Sequence, residues 1–249
     1  MRFIPVKTRA MRPPKDDLFA VLDESLPKLR EGDILLVTSK VVSVHQGRCV
    51  KITKGLNKDK LILNEAEKYI PRRRVPGRLA LLTIKTHTLI SSSGIDSSNG
   101  RGYYILWPKN PVKAAKAIWR YLRHKFKLIN LGVIITDSHT VPLRRGTVGV
   151  ALGFYGIEPL LDYTGKRSIF GAALRHTQVN LIDSLAAAAP LVIGESNEQT
   201  PLALIRGCQE AKFSSKDSYR DWLVPETEDL YAPLLKVFRK TLDKKHKTK

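Results

Sequence analysis

The sequence predicts a mixed α/β fold, and three observations carry that reading. Short apolar runs of strand length (34–37, ILLV; 131–136, LGVIIT) alternate with segments of helical periodicity (18–26; 111–127). A chain of 249 residues is long enough to bury a sizeable core. Its 43% hydrophobic and 27% charged residues are ordinary for a globular protein and exclude a chain too polar to pack.

The elements follow in order. Asp16 and Asp17 precede Leu18, Val21, Leu22 and Leu26, which share one helical face, so the aspartates sit where a cap and the helix dipole favour them. Gly32-Asp33 turns the chain into the strand 34–37. The arginine-rich, proline-containing 71–76 reads as a loop and 79–84 as the next strand. Pro111 opens a helix over 111–127, with Ala114, Ile118, Tyr121, Leu122 and Lys125 distributed over its faces. The strand 131–136 is expected to end on Asp137, and strand ends are where α/β proteins place their chemistry. Glycine and β-branched residues in 148–157 predict a strand with close backbone contacts. An alanine-rich helix over 181–192, a strand at 202–205 and a final helix over 228–242 complete the reading. No internal repeat and no long linker interrupts the chain. It is expected to form one module over 1–243, with two closely packed lobes as a variant, followed by a basic, disordered tail at 244–249.

Composition narrows the function classes. No stretch approaches the roughly 18 consecutive apolar residues of a membrane span, and the N-terminal MRFIPVKTRAMRPPKDD lacks the apolar block of a signal peptide. Cys49 and Cys208, the only cysteines, exclude a disulfide framework and a cysteine-based zinc site, and make the reducing cytoplasm the expected address. The net charge of +20 favours polyanions. Part of it is local: Lys236, Arg239, Lys240, Lys244, Lys245, Lys247 and Lys249 stand against Asp243 alone, a net of +6. The rest is dispersed, as a merely solvated surface would also be.

Three acidic segments are candidates for chemistry. Ser92-Ser93-Gly94-Ile95-Asp96-Ser97-Ser98-Asn99 gathers backbone N–H groups, hydroxyls and one carboxylate, a mixture suited to phosphate and magnesium together. Taken alone it reads better as an Asx turn. Thr136-Asp137-Ser138-His139 follows a buried strand, so its carboxylate and hydroxyl are rigidly held; the bland alternative is a strand-ending turn with a surface histidine. Gly194-Glu195-Ser196-Asn197-Glu198 offers a third carboxylate, or is a helix exit. Together they provide oxygen ligands of the kind Mg²⁺ or Mn²⁺ prefers over zinc. No GxxxxGK[ST], no GxGxxG and no GxSxG occurs. Ser39-Lys40, after the strand 34–37, could hold phosphate through its hydroxyl and ammonium.

As an ordered set, GDILLVTSKVVSVHQGR, SSGIDSSN, GVIITDS…RRGTVGVALGFYGI and GES…PLALIRG resemble the coenzyme F420-0:γ-glutamyl ligase family over roughly residues 2–207. The segments WPKNP and PLLDYTGK look like its bacterial branch, described as folate-metabolism γ-glutamate ligases. The resemblance implies a mixed α/β ligase without a Walker motif, dependent on a nucleoside triphosphate (GTP or ATP) and on Mg²⁺ or Mn²⁺ in a two-metal site, with a monovalent cation as a further cofactor to expect, and usually dimeric. Carried over by position, Asp96 and Asp137 match metal-binding aspartates and Ser138 a metal-binding threonine. Glu195 matches a further acidic metal position, and Asn99 a nucleotide contact. Ser39 and Lys40 match a pair near the nucleotide. The loop of Ile193, Gly194, Glu195, Ser196, Asn197, Glu198, Gln199 and Thr200 corresponds to nucleotide contacts. Val44 departs from the family where a nucleotide-binding lysine can stand, and 10–13 match its nucleotide-contacting sequence poorly.

The implied reaction activates a carboxylate as an acyl phosphate, which the amine of L-glutamate attacks, releasing NDP and phosphate. Chemistry, not the family, nominates Arg144 and Arg145 to neutralise phosphate or carboxylate by bidentate pairing, and His139 to take the amine proton. The branch favours a folate γ-carboxylate as acceptor, with F420-0 and GTP as the alternative. A nucleic-acid-binding protein is the rival from another class. It would explain the charge but leaves the three acidic segments idle, and the 7% aromatics show no interleaved pattern.

Overall fold

In a computed structural model of the chain, residues 1–241 are described; the expected boundary at 243 and the basic tail at 244–249 lie outside them. In chain order the elements are β1 (Arg2–Val6), α1 (Leu18–Ser25), β2 (Asp33–Thr38), α2 (Ser39–His45), β3 (Cys49–Lys51), α3 (Lys58–Glu65) and β4 (Lys68–Ile70). Then come β5 (Leu82–Lys85), β6 (Thr88–Ser91), β7 (Tyr103–Ile105), α4 (Pro111–Phe126), β8 (Leu131–Thr140) and β9 (Thr147–Tyr155). The remainder are β10 (Leu160–Asp162), β11 (Gln178–Asn180), α5 (Leu181–Ala187), α6 (Ala189–Ile193), β12 (Leu202–Arg206), α7 (Tyr219–Trp222), α8 (Ala232–Leu235) and β13 (Arg239–Lys240).

The main sheet runs β1-β12-β2-β8-β9, with β2 and β8 parallel and the other pairs antiparallel. Its central strands β12, β2 and β8 are apolar on both faces because helices cover both. Leu35, Val37, Val133, Ile135, Leu202 and Leu204 point into a core shared with α1 and α4. Their neighbours Ile34, Leu36, Ile134, Ala203 and Ile205 point into the opposite core, under α5 and α6, as the two-residue strand period requires. Burying each of the Val, Leu and Ile side chains among these contributes roughly 1.5–3 kcal/mol. The glycines of β9 let the helices sit directly on the strand. A Cβ on Gly153 would stand 2.7 Å from the backbone of Val112 in α4, and one on Gly149 1.8 Å from the carbonyl oxygen of Ala186 in α5.

Helix α1 starts as expected, with the Asp17 carboxylate accepting from the backbone N–H of Phe19 at 2.9 Å. Helix α4 begins at Pro111 behind an Asn110 cap and buries Ala115, Ile118, Trp119 and Leu122. A smaller core of Ile62, Leu81, Ile95 and Leu106 lies under α3 and the short sheets β3-β7 and β13-β4-β5-β6.

Four expectations are corrected. The strand expected to end on Asp137 continues to Thr140, because β9 pairs with it as far as Thr140 opposite Thr147. The strand expected at 79–84 is displaced to Leu82–Lys85: two 3₁₀ turns, Arg72–Arg74 and Pro76–Arg78, carry the chain outward, leaving Leu79 84% exposed. The single helix over 181–192 is two, broken at Ala188 ahead of Pro190 in the first turn of α6, since proline lacks the N–H that a continuous helix needs. The helix over 228–242 is, in its described part, the single turn α8 followed by β13, which pairs with β4. Among the described residues no helix is long and apolar enough to cross a membrane.

Candidate active site

Pairing β2 with β8 in parallel, Thr38 opposite Thr136, delivers the residues after each strand register to the same edge of the sheet. From β2 the chain enters α2 directly, placing Ser39 and Lys40 there; β8 carries Asp137 and Ser138. A register shift between Ile135 and Thr136 against β9 falls just before these residues, and such bulges re-aim side chains beside functional sites. These groups line a cleft of about 580 Å³. Its other walls are the N-terminal segment 8–13, the loop 193–201, and the 94–101 region with Trp107 from beside the smaller core.

The cleft joins the three acidic segments. Asp96 accepts from the backbone N–H groups of Ser97 (2.6 Å) and Ser98 (2.9 Å) and from the Ser98 hydroxyl. The Lys40 ammonium donates to its Oδ2 at 2.7 Å and also reaches the Ser98 carbonyl and hydroxyl. Burial alone would raise the Asp96 pKa; the hydrogen bonds from Lys40 and Ser98 outweigh it and hold it at about 2. Asn99 spans to the opposite loop, its amide donating to the Ser196 carbonyl at 2.8 Å. The Ser138 hydroxyl meets Glu195 at 3.4 Å. The Thr200 hydroxyl closes that loop onto the Ile193 carbonyl at 2.6 Å, and the Glu198 carboxylate accepts from the Ser196 N–H at 2.8 Å.

Asp137 differs from Asp96. Its carboxyl accepts from the Trp107 indole N–H and, at 2.8 Å, from the backbone N–H of Ser138. Loss of water around the carboxyl pushes its pKa up to about 6, against the pull of the hydrogen bonds from Ser138, Trp107 and Ser39.

Of the residues expected from the sequence, Ser39, Lys40, Asp96, Asn99, Asp137, Ser138 and the whole loop from Ile193 to Thr200 line the cleft. His139 does not. It pairs with Val148 on the β8–β9 ladder, where burial lowers its pKa and Asp183 of α5 is the charge that acts on it. Arg144 and Arg145 also stand apart, in the exposed turn between β8 and β9, because β8 runs past Asp137 before turning. Sequence reasoning missed Trp107, whose proximity to Asp137 no local motif announces, and the cationic lining residues Arg9, Arg12 and Arg101. Arg9 is paired with Asp16 (2.8 Å) and Glu24 (3.1 Å). The segment 10–13 and Val44, which depart from the family pattern, are nonetheless in the lining.

Among the described residues no three His, Cys, Asp or Glu side chains gather tightly enough to hold a metal unaided. The donors present, Asp96, Asp137, Ser138 and Glu195, are all hard oxygens in one cleft. Mg²⁺ is typically held by one or two carboxylates with substrate phosphates completing its shell, and this donor set fits that arrangement.

A helix-covered sheet opening a cleft lined by carboxylates, hydroxyls and cations beside the carboxyl ends of its parallel pair is the arrangement of an α/β enzyme. The family model described as F420-0:Gamma-glutamyl ligase matches residues 5–207, and the chain belongs to that family. It is similar to proteins named coenzyme F420:L-glutamate ligase. The one from Methanopyrus kandleri is 34% identical over 83% of this chain and 87% of its own length. That from Methanocaldococcus jannaschii is 32% identical over 82% and 86%, and that from Methanothermobacter thermautotrophicus 30% identical over 86% and 90%. The protein is therefore a ligase that forms an amide bond.

Proposed function

We propose that the protein adds L-glutamate to the terminal carboxylate of coenzyme F420-0, using a nucleoside triphosphate and Mg²⁺ or Mn²⁺. The observation that carries this reading is the convergence, in one cleft, of Lys40 on Asp96, of Asp137 with Ser138, and of Glu195 on the facing loop. The folate acceptor favoured by the sequence finds no support among the relatives, whose names specify coenzyme F420. GTP is the proposed nucleotide, with ATP as the comparison.

Amide synthesis from a carboxylate in water is uphill, so the carboxylate must first gain a leaving group. The acceptor carboxylate oxygen attacks the γ-phosphorus and NDP departs. The amine of L-glutamate then attacks the acyl carbon and phosphate leaves. A bound divalent cation would supply positive charge to offset what builds up during transfer. Asp96, Asp137, Ser138 and Glu195 would hold it. Lys40 is shared between Asp96 and the phosphates, and Asn99 and the Ser196 backbone orient the nucleotide. Arg144 and Arg145, on the exposed turn that continues β8, suit the carboxylates and phosphate of an acceptor extending beyond the cleft. The protein is proposed to act in the cytoplasm as a homodimer; the exposed Ile169 and Phe170 between β10 and β11 are an apolar surface that pairing would cover.

The test is phosphate release with Mg²⁺ or Mn²⁺, GTP or ATP, L-glutamate, and either F420-0 or tetrahydrofolate monoglutamate, with products weighed by mass spectrometry. Gain of one glutamyl residue on F420-0 supports the proposal; gain on the folate alone returns the acceptor to folate. No gain on either overturns the proposed acceptor class.

A further inference from the structure

The wall behind Asp137 is built around a tryptophan held from several sides. Trp107 is 2% exposed, and its indole N–H donates to Asp137 Oδ2 while the backbone N–H of Ser138 donates to Oδ1. The ring has little freedom to move. Gly94, at φ +70°, lies flat against it; a Cβ there would stand 1.9 Å from Nε1 and 2.5 Å from Cδ1. Arg48 Nε donates to the Trp107 carbonyl at 3.1 Å. Arg48 and Lys85 both pair with Glu65, at 2.6 and 2.7 Å, and the Lys85 ammonium lies 5.8 Å from the centre of the Trp107 ring.

A buried tryptophan ordinarily satisfies its N–H on whatever acceptor the core offers, and Trp119 does so, donating to the Leu131 carbonyl at 2.8 Å. Trp107 instead spends its N–H on a side chain that faces the cleft. We infer that Trp107 is the positioning residue for Asp137: its indole N–H fixes which carboxylate oxygen the cleft receives, and Gly94 together with the Arg48–Glu65–Lys85 cluster fixes the indole. Without that N–H the Asp137 carboxylate turns about its side-chain torsions, and the cation-dependent grip on phosphate weakens. Hydrogen bonds of this supporting kind are worth about 10–100-fold in metal affinity. The inference rests on the nucleotide-dependent reading above.

The two tryptophans make the experiment internally controlled. Nucleotide binding is measured by calorimetry as a function of Mg²⁺ concentration, using a non-hydrolysable GTP or ATP analogue, for wild type, Trp107→Phe and Trp119→Phe, each with its melting temperature. Trp107→Phe is expected to raise the Mg²⁺ concentration for half-maximal nucleotide binding by about 10–100-fold. Trp119→Phe loses the same N–H against a backbone carbonyl; it is expected to lower the melting temperature and leave the Mg²⁺ midpoint where it was. In an Asp137→Asn background, Trp107→Phe should add less than about twofold, because coupled residues are not additive. Equal midpoint shifts in the two single variants, or full additivity with Asp137→Asn, overturn the inference. Should Trp107→Phe fail to fold, site-specific 3-benzothienylalanine at 107 keeps the ring shape and replaces only the N–H with sulfur; an unmoved midpoint there also overturns it. A wild type that binds neither nucleotide with Mg²⁺ sinks the nucleotide-dependent reading itself, whereas a wild type that binds and a Trp107→Phe that binds identically sinks only the role of Trp107.

Discussion

The parallel pair β2–β8 carries a carboxylate at each end, and the two ends treat it differently. At the start of β2, Asp33 is 2% exposed and fully engaged: Arg206 Nε lies 3.0 Å from Oδ1, Arg206 Nη2 3.1 Å from Oδ2, and the backbone N–H of Arg30 donates at 2.9 Å. The same guanidinium reaches the Lys28 carbonyl, so the cluster pins β12, β2 and the turn before it. At the far end, just past Thr136, Asp137 makes no ion pair among the described residues; its carboxyl is held by hydrogen bonds from Ser138, Trp107 and Ser39, with the Lys40 charge acting on it from farther off. An enclosed acid with a cation in place is architecture. One that is enclosed and oriented by hydrogen bonds, with no cation bonded to it, is arranged to receive a ligand that brings positive charge.

The sharpest way to break that comparison is to remove both acids in turn. Asp137→Asn keeps the shape and should cost at least about 10²–10³ in turnover, the scale of losing one electrostatic contributor to a transition state, while the melting temperature stays close to wild type. Asp33→Ala should do the reverse. Leaving Arg206 without its partner should cost about 3 kcal/mol, the lower end for a broken buried pair because Arg206 keeps some contact with water, with turnover per folded molecule preserved. Denaturant unfolding beside single-turnover assays separates the two. If Asp33→Ala lost turnover without losing stability, the division between the ends of the sheet would be wrong.

Gly94→Ala comes next. A methyl group there displaces the Trp107 indole, so about 1–3 kcal/mol of overpacking should accompany a turnover loss of about 10–100-fold. Lys40→Met should act mainly on nucleotide affinity. It removes a charge-assisted contact of about 1.5–3 kcal/mol and lets the Asp96 pKa rise, which a KM for nucleotide raised more than kcat is lowered would reveal.

Much of the cleft was legible because local strings carry it. The Asp96 loop, the Asp137-Ser138 pair and the loop from Ile193 to Thr200 each read as acidic, glycine- or hydroxyl-bearing segments, and the two central strands were plain from apolar runs. What failed depended on distant partners. The β-branched SKVVSVH gives no helical signal, yet it forms α2 with Val41, Val42, Ser43 and Val44 buried. The end of β8 is set by its ladder with β9 and not by Asp137. Pro190 breaks the alanine-rich segment that composition makes look continuous. The C-terminal 239–240 is drawn into a strand by β4, from which it is separated by most of the chain. Trp107 reaches Asp137 across 30 residues, a pairing that only the folded geometry reveals.

The smallest predicted effect sharpens the comparison within the cleft, since its two aspartates respond to pH in opposite senses. Asp96 is held at about 2, below its ordinary 3.8. Its contribution to stability is therefore present above about pH 4 and is lost as pH falls toward 2. Asp137 is raised to about 6 from the same 3.8. The folded protein thus keeps a proton there that the unfolded chain gives up, and this contribution is full below about pH 4 and lost as pH rises through 6. Ionised Asp137 is the form that assists a cation. Mg²⁺-dependent nucleotide affinity should accordingly climb between pH 5 and 7, falling about tenfold per unit below 6 if this one ionisation governs it, while stability drifts slightly the other way. Calorimetric nucleotide titrations and melting curves over the same pH series read both slopes. Affinity flat from pH 5 to 7 would mean that Asp137 is already ionised at pH 5, and that burial at this end of the sheet does not govern its charge.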